Sequence, residues 1–263
     1  MKNLRKRLAC LLLSALLLIG CLPVTALAAE NGFILVVEAG GKLVIAPEYI
    51  SCTAGQTAAQ ALSASGHTFT GLDTGMISAI DGVTGNFTRS DENGNYDLSV
   101  SAASIGYLRF SEDMDSKPSD GLKQLMTAMA DYKKKGSDVQ AAAKKEYDTA
   151  SDLFVGINSE SAKTLASNLN DAVRNYENTL TGEHYAVRFT DGSAAYSDDN
   201  YPGVSITAVN AYGKQWTDDG DGVLELPKGD YTFCVEQAGL RVEGKITVSA
   251  AATVSAELPQ SEW

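Results

Sequence analysis

The chain is poor in the residues that most often carry chemistry. Its 263 residues include only two histidines, two tryptophans, four cysteines and six prolines. Histidine is the commonest general base, yet His67 and His184 lie far apart, each beside a glycine or an acid, and both read as surface turn residues. No G-x-S-x-G elbow, H-E-x-x-H, C-x-x-C or phosphate-binding loop occurs. An enzyme built from this chain would have to run on carboxylates alone, so the composition points away from catalysis. Cysteine is too sparse for a disulfide scaffold, which needs four or more in a much shorter chain. Only Cys52 and Cys234 lie beyond the leader described below. Two buried free thiols are expected of them, with a bridge as the alternative.

Basic residues are scarce outside the N-terminus. Lys2, Arg5, Lys6 and Arg7 precede an apolar run from Leu8 to Ile19 and the small-residue site Ala26-Leu27-Ala28. A positive start, a short apolar stretch and an A-x-A site are the layout of a secretory signal peptide. The run is shorter than the roughly 20 residues a spanning helix needs. Leu18-Ile19-Gly20-Cys21 also matches a lipobox, in which Cys21 would be lipidated and tether the chain. The cleaner site at Thr25–Ala29 favours cleavage after Ala28 and simple secretion. Loss of the four leader cations takes the 21 Lys and Arg to 17, against 33 Asp and Glu, a net charge near −16. So acidic a surface repels nucleic acid and anionic lipid, because phosphate binding needs clustered cations.

Three patterns follow one another along the mature chain. Phe33–Val37 and Leu43–Ile45 are β-branched runs around Gly40-Gly41, a hairpin signal, since a primed turn needs positive φ. Thr57-Ala58-Ala59-Gln60 predicts a capping box and a short helix stopped at Gly66. Strands are expected at Met76–Ile80 and Ile105–Phe110, with a turn at Asp91–Asn95. From Pro118 the spacing becomes helical. Leu122, Leu125, Met126, Met129 and Tyr132 share a face, and Lys133–Gly136 reads as that helix's basic, glycine-stopped end. A second capping box at Ser137–Gln140 is expected to open a helix with Val139, Ala143, Tyr147, Ala150 and Phe154 inward. A third helix places Ala162, Leu165, Leu169, Val173, Tyr176 and Leu180 on one stripe. These Met and Tyr positions read as core packing. The final segment alternates, with strands expected at Tyr185–Phe189, Val204–Val209, Val223–Leu226, Tyr231–Val235, Lys245–Val248 and Thr253–Leu258.

Each pattern carries a resemblance. Gln56–Leu62, Gly66 and Gly75-Met76-Ile77-Ser78-Ala79-Ile80-Asp81-Gly82 resemble the transcobalamin C-terminal-like domain of bacterial surface proteins, a β-grasp-like fold. Asn93-Gly94-Asn95-Tyr96 matches that family's next motif loosely, and its tryptophan is missing. No ligand residues carry over. Leu169-Asn170-Asp171-Ala172-Val173 resembles FIVAR-type helical modules. Gly203–Ile206, Gly213, Asp219-Gly220-Asp221-Gly222 and Leu226-Pro227-Lys228-Gly229-Asp230-Tyr231 resemble a carboxypeptidase regulatory-like or collagen-adhesin B-type sandwich. Arg188 stands where an isopeptide crosslink would need a lysine, so no crosslink is expected. These likenesses imply a bacterial host, in which the sequon Asn86-Phe87-Thr88 carries no glycan.

Asp218, Asp219 and Asp221 are candidate calcium ligands, with Asp198-Asp199-Asn200 as a neighbouring oxygen source. An EF-hand frame with Gly222 sixth fails, because it puts Thr217 first and Lys228 twelfth. Ordinary turn chemistry is the competing explanation of both clusters.

The expected fold class is multi-domain α+β. Residues 1–28 are read as the signal peptide, 29–113 as a small β-grasp-like domain, 114–181 as a three-helix antiparallel bundle and 182–260 as an all-β sandwich. The expected function is a secreted or cell-surface interaction protein whose modules present binding surfaces to extracellular glycans or proteins. It would bind no nucleic acid, hold no cofactor beyond the candidate calcium, and meet a membrane only through Cys21. One alternative is a Cys21-tethered lipoprotein taking a small hydrophobic ligand such as a corrinoid. Another is a set of accessory modules of a larger extracellular enzyme, since Leu258–Trp263 is neither a sortase signal nor an anchor.

Overall fold

A computed structural model describes residues 32–91, 106–112 and 117–259. Its class is mixed α+β, with four helices and fourteen strands among the described residues. The leader, with Cys21, and the expected turn at 92–95 lie outside them. The chain divides into two compact units. One takes the chain up to Gly40 and Tyr49–Lys117; the other takes Gly41–Glu48 and the chain from Pro118.

Strands β1 (Gly32–Ala39) and β2 (Lys42–Ser51) meet at Gly40 and Gly41, whose φ values of 58° and 72° supply the expected primed turn. Helix α1 (Ala58–Ser63) opens with the expected capping box. Thr57 accepts from the Gln60 N–H, and the Gln60 side chain accepts from the Thr57 N–H. Short strands β3 (Phe69–Thr70), β4 (Ala79–Ile80) and β5 (Val83–Thr84) form one sheet. Strands β6 (Thr88–Asp91) and β7 (Tyr107–Ser111) join the first two in the order β2-β1-β7-β6. Strand β7 runs parallel to β1, with Val37 opposite Phe110. The expected strand at Met76–Ile80 shrinks to Ala79–Ile80. Gly75 takes a positive φ and Met76 stands 79% exposed, so the backbone is still turning there.

One face of β1 and β7 buries Leu35, Val37, Leu108 and Phe110. The other carries Glu38 and Arg109, both buried. The guanidinium grips the carboxylate with two bonds, Nε to Oε1 at 2.7 Å and Nη2 to Oε2 at 3.2 Å. Bidentate geometry of this kind offsets the desolvation of both ions.

From Pro118, in the second unit, the chain forms α2 (Asp120–Lys133), α3 (Ser137–Asp152) and α4 (Ser159–Leu180). Leu122, Leu125, Met126, Met129 and Tyr132 are buried as expected, and α2 and α3 each pack on α4. A Cβ at Gly121 would stand 1.9 Å from the Ser159 carbonyl oxygen, so only glycine permits this approach. Two expectations fail at the α2–α3 corner. Gly136 has φ −61° and serves as N-cap of α3 rather than as a left-handed stop for α2. The second capping box does not form either: Ser137 is already helical, and the Gln140 amide donates to the Lys133 and Lys135 carbonyls. Those orphaned carbonyls win the amide because the helices are separated by so few residues. Phe154 is buried but lies past the end of α3, and Leu165 and Leu180 are only half-buried.

The remaining strands are β8 (His184–Thr190), β9 (Ser205–Asn210), β10 (Gln215–Thr217), β11 (Val223–Pro227), β12 (Gly229–Gln237), β13 (Leu240–Val248) and β14 (Ala252–Ser255). They form two sheets, β10-β9-β12-β13 and β11-β8-β14. Alternate residues of both enter one core, including Val187, Phe189, Ile206, Leu224, Phe233 and Val235. Strand β14 pairs with β8 in parallel, and β10 is a strand the alternation does not announce. Cys52 and Cys234 are free, and both are half-buried rather than buried. No described helix is long and apolar enough to cross a membrane.

Candidate functional site

The acidic loop joins β10 to β11, and the fold does gather its three expected residues. One carboxylate oxygen from each of Asp218, Asp219 and Asp221 lies within 4.8 Å of the others. Much of that closeness belongs to the turn itself. Gly220 and Gly222 have φ of 103° and 79°. Asp218 accepts from the Gly222 N–H at 3.3 Å and the Val223 N–H at 3.2 Å, and Asp221 accepts from Val223 at 2.8 Å. Burial, helped by a hydrogen bond with Asp221, pushes the Asp218 carboxyl above its ordinary range. From the neighbouring loop, the Asp198 carboxylate stands against Gly220, and its own N–H donates to the Gly220 carbonyl at 2.9 Å. Asn200 turns away, its amide donating to the Ala195 carbonyl. Both Asp218 oxygens are therefore occupied by backbone donors, and the loop is foremost a well-bonded turn.

His67 differs from its reading as a surface turn residue. It is half-buried, with Nδ1 2.6 Å from Asp81 Oδ2, while the other Asp81 oxygen accepts from the Thr68 N–H at 2.8 Å. Asp81 holds a left-handed φ of 48° at the β4–β5 turn. Burial raises the Asp81 carboxyl, but the Thr68 bond and the His67 pair outweigh it and leave it below its ordinary value. His67 borders an open cleft of about 510 Å³ with Ser63, Phe69 and Asp73. His184 lies in β8, exposed.

A further surface was not anticipated. In the second unit, a cleft of about 510 Å³ opens between the α3–α4 helices and the β9–β10 and β11–β12 turns. Among its lining residues Tyr212 is 43% exposed. It sits on the β9–β10 loop, and Asn210 fixes that loop by accepting from the Tyr212 and Lys214 N–H groups, each at 3.0 Å. The Asn210 amide donates at 3.0 Å to the hydroxyl of Tyr176 on α4, which donates in turn to Asp138 at 3.3 Å. Tyr212 meets Tyr176 edge to face, with centroids 5.0 Å apart. Beneath them Tyr231 is buried, donates to the Pro227 carbonyl and packs edge-on against Trp216. Burial pushes the Tyr231 hydroxyl up to about 12. A second groove, about 410 Å³, continues across β9, β12 and β13 and shares Asn210, Ala211, Asp230 and Tyr231 with the first. Together they make one trough with a rigid aromatic centre and a rim of Asn175, Thr179, Lys228, Asp230 and Lys245.

The sequence reads Tyr176 as core, which it is, and is silent on Tyr212. The available signal is Asn210-Ala211-Tyr212-Gly213, an aromatic placed in a tight Asn/Gly turn. Comparison with known protein families, with curated proteins and with solved structures finds no match for this chain.

Proposed function

We propose that the protein is a secreted or cell-surface interaction protein, a binding rather than a catalytic chain, that recognises extracellular glycans or proteins. The observation that carries this reading is the trough around Tyr212, a half-exposed aromatic on a loop whose backbone is pinned by Asn210. Recognition sites pair a preformed apolar surface with a few fixed polar groups. The leader read at residues 1–28 supplies the extracellular placement. In this proposal the first unit is β-grasp-like, an assignment supported by the hairpin–helix–strand order and the parallel β1–β7 pair. The helices form an antiparallel bundle and the last segment a carboxypeptidase regulatory-like sandwich, supported by two sheets closing on one core.

The test is an array of mucins, matrix proteins and cell-wall glycans probed with the chain that starts at Ala29. Saturable binding to at least one member is expected, and no binding to any of them would overturn the proposal.

A further inference from the structure

We infer that the trough is a saccharide site, in which Tyr212 is the stacking platform for an uncharged oligosaccharide; the inference rests on the interaction role proposed above. A pyranose ring presents two surfaces, a patch of polarised C–H groups and a rim of hydroxyls. An aromatic face carries negative charge density and attracts the C–H patch, while the hydroxyls require donors and acceptors around the ring. The trough has both. Tyr212 offers exposed ring surface, and the Tyr176 contact with the Asn210 bonds holds its position before any ligand arrives. Preorganisation of this kind lowers the entropic cost of binding.

The rim supplies hydrogen-bonding groups of every kind. Asn175 and Thr179 belong to α4, Lys228 to the β11–β12 turn, Asp230 to β12, and Lys245 and Thr247 to β13. Thr247 donates to Asp230 at 2.6 Å, which fixes that carboxylate as an acceptor. Lys228 and Lys245 are matched by Asp230 and by Glu146 of α3, so the lining carries no net charge and favours neither an anion nor a cation. The chain as a whole carries 33 acidic against 21 basic residues, which further disfavours polyanionic sugars. A trough open along its length suits a segment of a polymer better than an enclosed small molecule. A proline-rich peptide is the rival occupant, but such peptides dock between several aromatics. Here Tyr231 and Tyr176 are buried, leaving Tyr212 as the exposed ring of the cleft.

The experiment is calorimetric titration of the chain from Ala29 with pentasaccharides of glucose, xylose, mannose and N-acetylglucosamine, and with a proline-rich decapeptide. At least one pentasaccharide is expected to bind. Tyr212→Ala should weaken it by about tenfold or more. Tyr212→Phe should stay within about threefold, because the ring remains. Lys228→Ala, at an exposed rim position, should weaken binding severalfold without affecting folding, so the assignment does not depend on the Tyr212→Ala variant remaining folded. Lys163→Ala, on α4 but lining neither groove, should leave it unchanged. Failure of all four sugars, or sugar binding indifferent to both Tyr212→Ala and Lys228→Ala, overturns the inference. Binding of the decapeptide alone also overturns it, in favour of a peptide groove. If array binding persists in Tyr212→Ala, the interaction role stands and only this site falls.

Discussion

At the scale of single residues, Asp218 shows how the acidic loop divides its duties. Its carboxyl is half-buried, bonded to two backbone N–H groups and raised in pKa by burial and by Asp221. A carboxyl whose folded pKa lies above its unfolded value binds its proton more tightly in the fold. It therefore favours folding while protonated and opposes it once ionised. Asp218→Asn keeps one acceptor, removes the charge and offers Asp221 an N–H donor. At neutral pH it should match the parent within about 0.5 kcal/mol. Asp218→Ala removes both acceptors and should lose about 1 kcal/mol. As pH falls through its raised folded pKa, Asp218 protonates and the parent should gain relative to the Asn variant, the gain being complete below the unfolded carboxyl's pKa of about 3.9. Urea melts at neutral and acidic pH measure both differences. A large loss in Asp218→Asn at neutral pH would mean the ionised form is needed there.

At the scale of elements, local signals were reliable wherever one residue decides one conformation. Gly40-Gly41 announced the first hairpin, and Thr57 with Gln60 announced α1, because each device is complete within a few residues. Spacing placed the buried faces of the helices for the same reason. It failed where a competitor sits nearby. Gln140 had a capping role available but bonds the carbonyls of the preceding helix instead. Strand β10 was invisible, since three residues with Trp216 as the lone apolar member carry no period. The trough was illegible because its parts, from Asn175 to Lys245, meet only after the helices and both sheets have formed. The β12–β13 hairpin holds one local conflict. Ala238 takes φ of 50° ahead of Gly239 at 82°, a primed turn with alanine where asparagine or glycine belongs. A left-handed alanine costs roughly 1 kcal/mol. Ala238→Asn should recover about 0.5–1 kcal/mol, read as a higher midpoint in thermal melting. No gain would mean that the loop relaxes away from this turn in solution.

At the scale of the whole molecule, two compact units with separate buried cores should not melt as one. The first holds the Glu38–Arg109 pair beside its β1–β7 core, and breaking a buried pair by removing one partner costs about 3–5 kcal/mol. The second holds Leu169 at the centre of α4, fully buried, where Leu→Ala costs about 2–5 kcal/mol. Scanning calorimetry of the chain from Ala29 should resolve two transitions. Arg109→Ala should lower one of them, and Leu169→Ala the other. The gain from Ala238→Asn should appear in the transition that Leu169→Ala lowers, because the helices and the β9–β13 sheet belong to the same unit. Strand β2 complicates the separation: Gly41–Glu48 clusters with the second unit and Tyr49–Ser51 with the first, while Lys133 reaches back to Glu48 at 3.1 Å. If either variant shifts both transitions equally, the two units fold as one cooperative body. The trough would then draw its rigidity from the entire chain rather than from the unit that contains it.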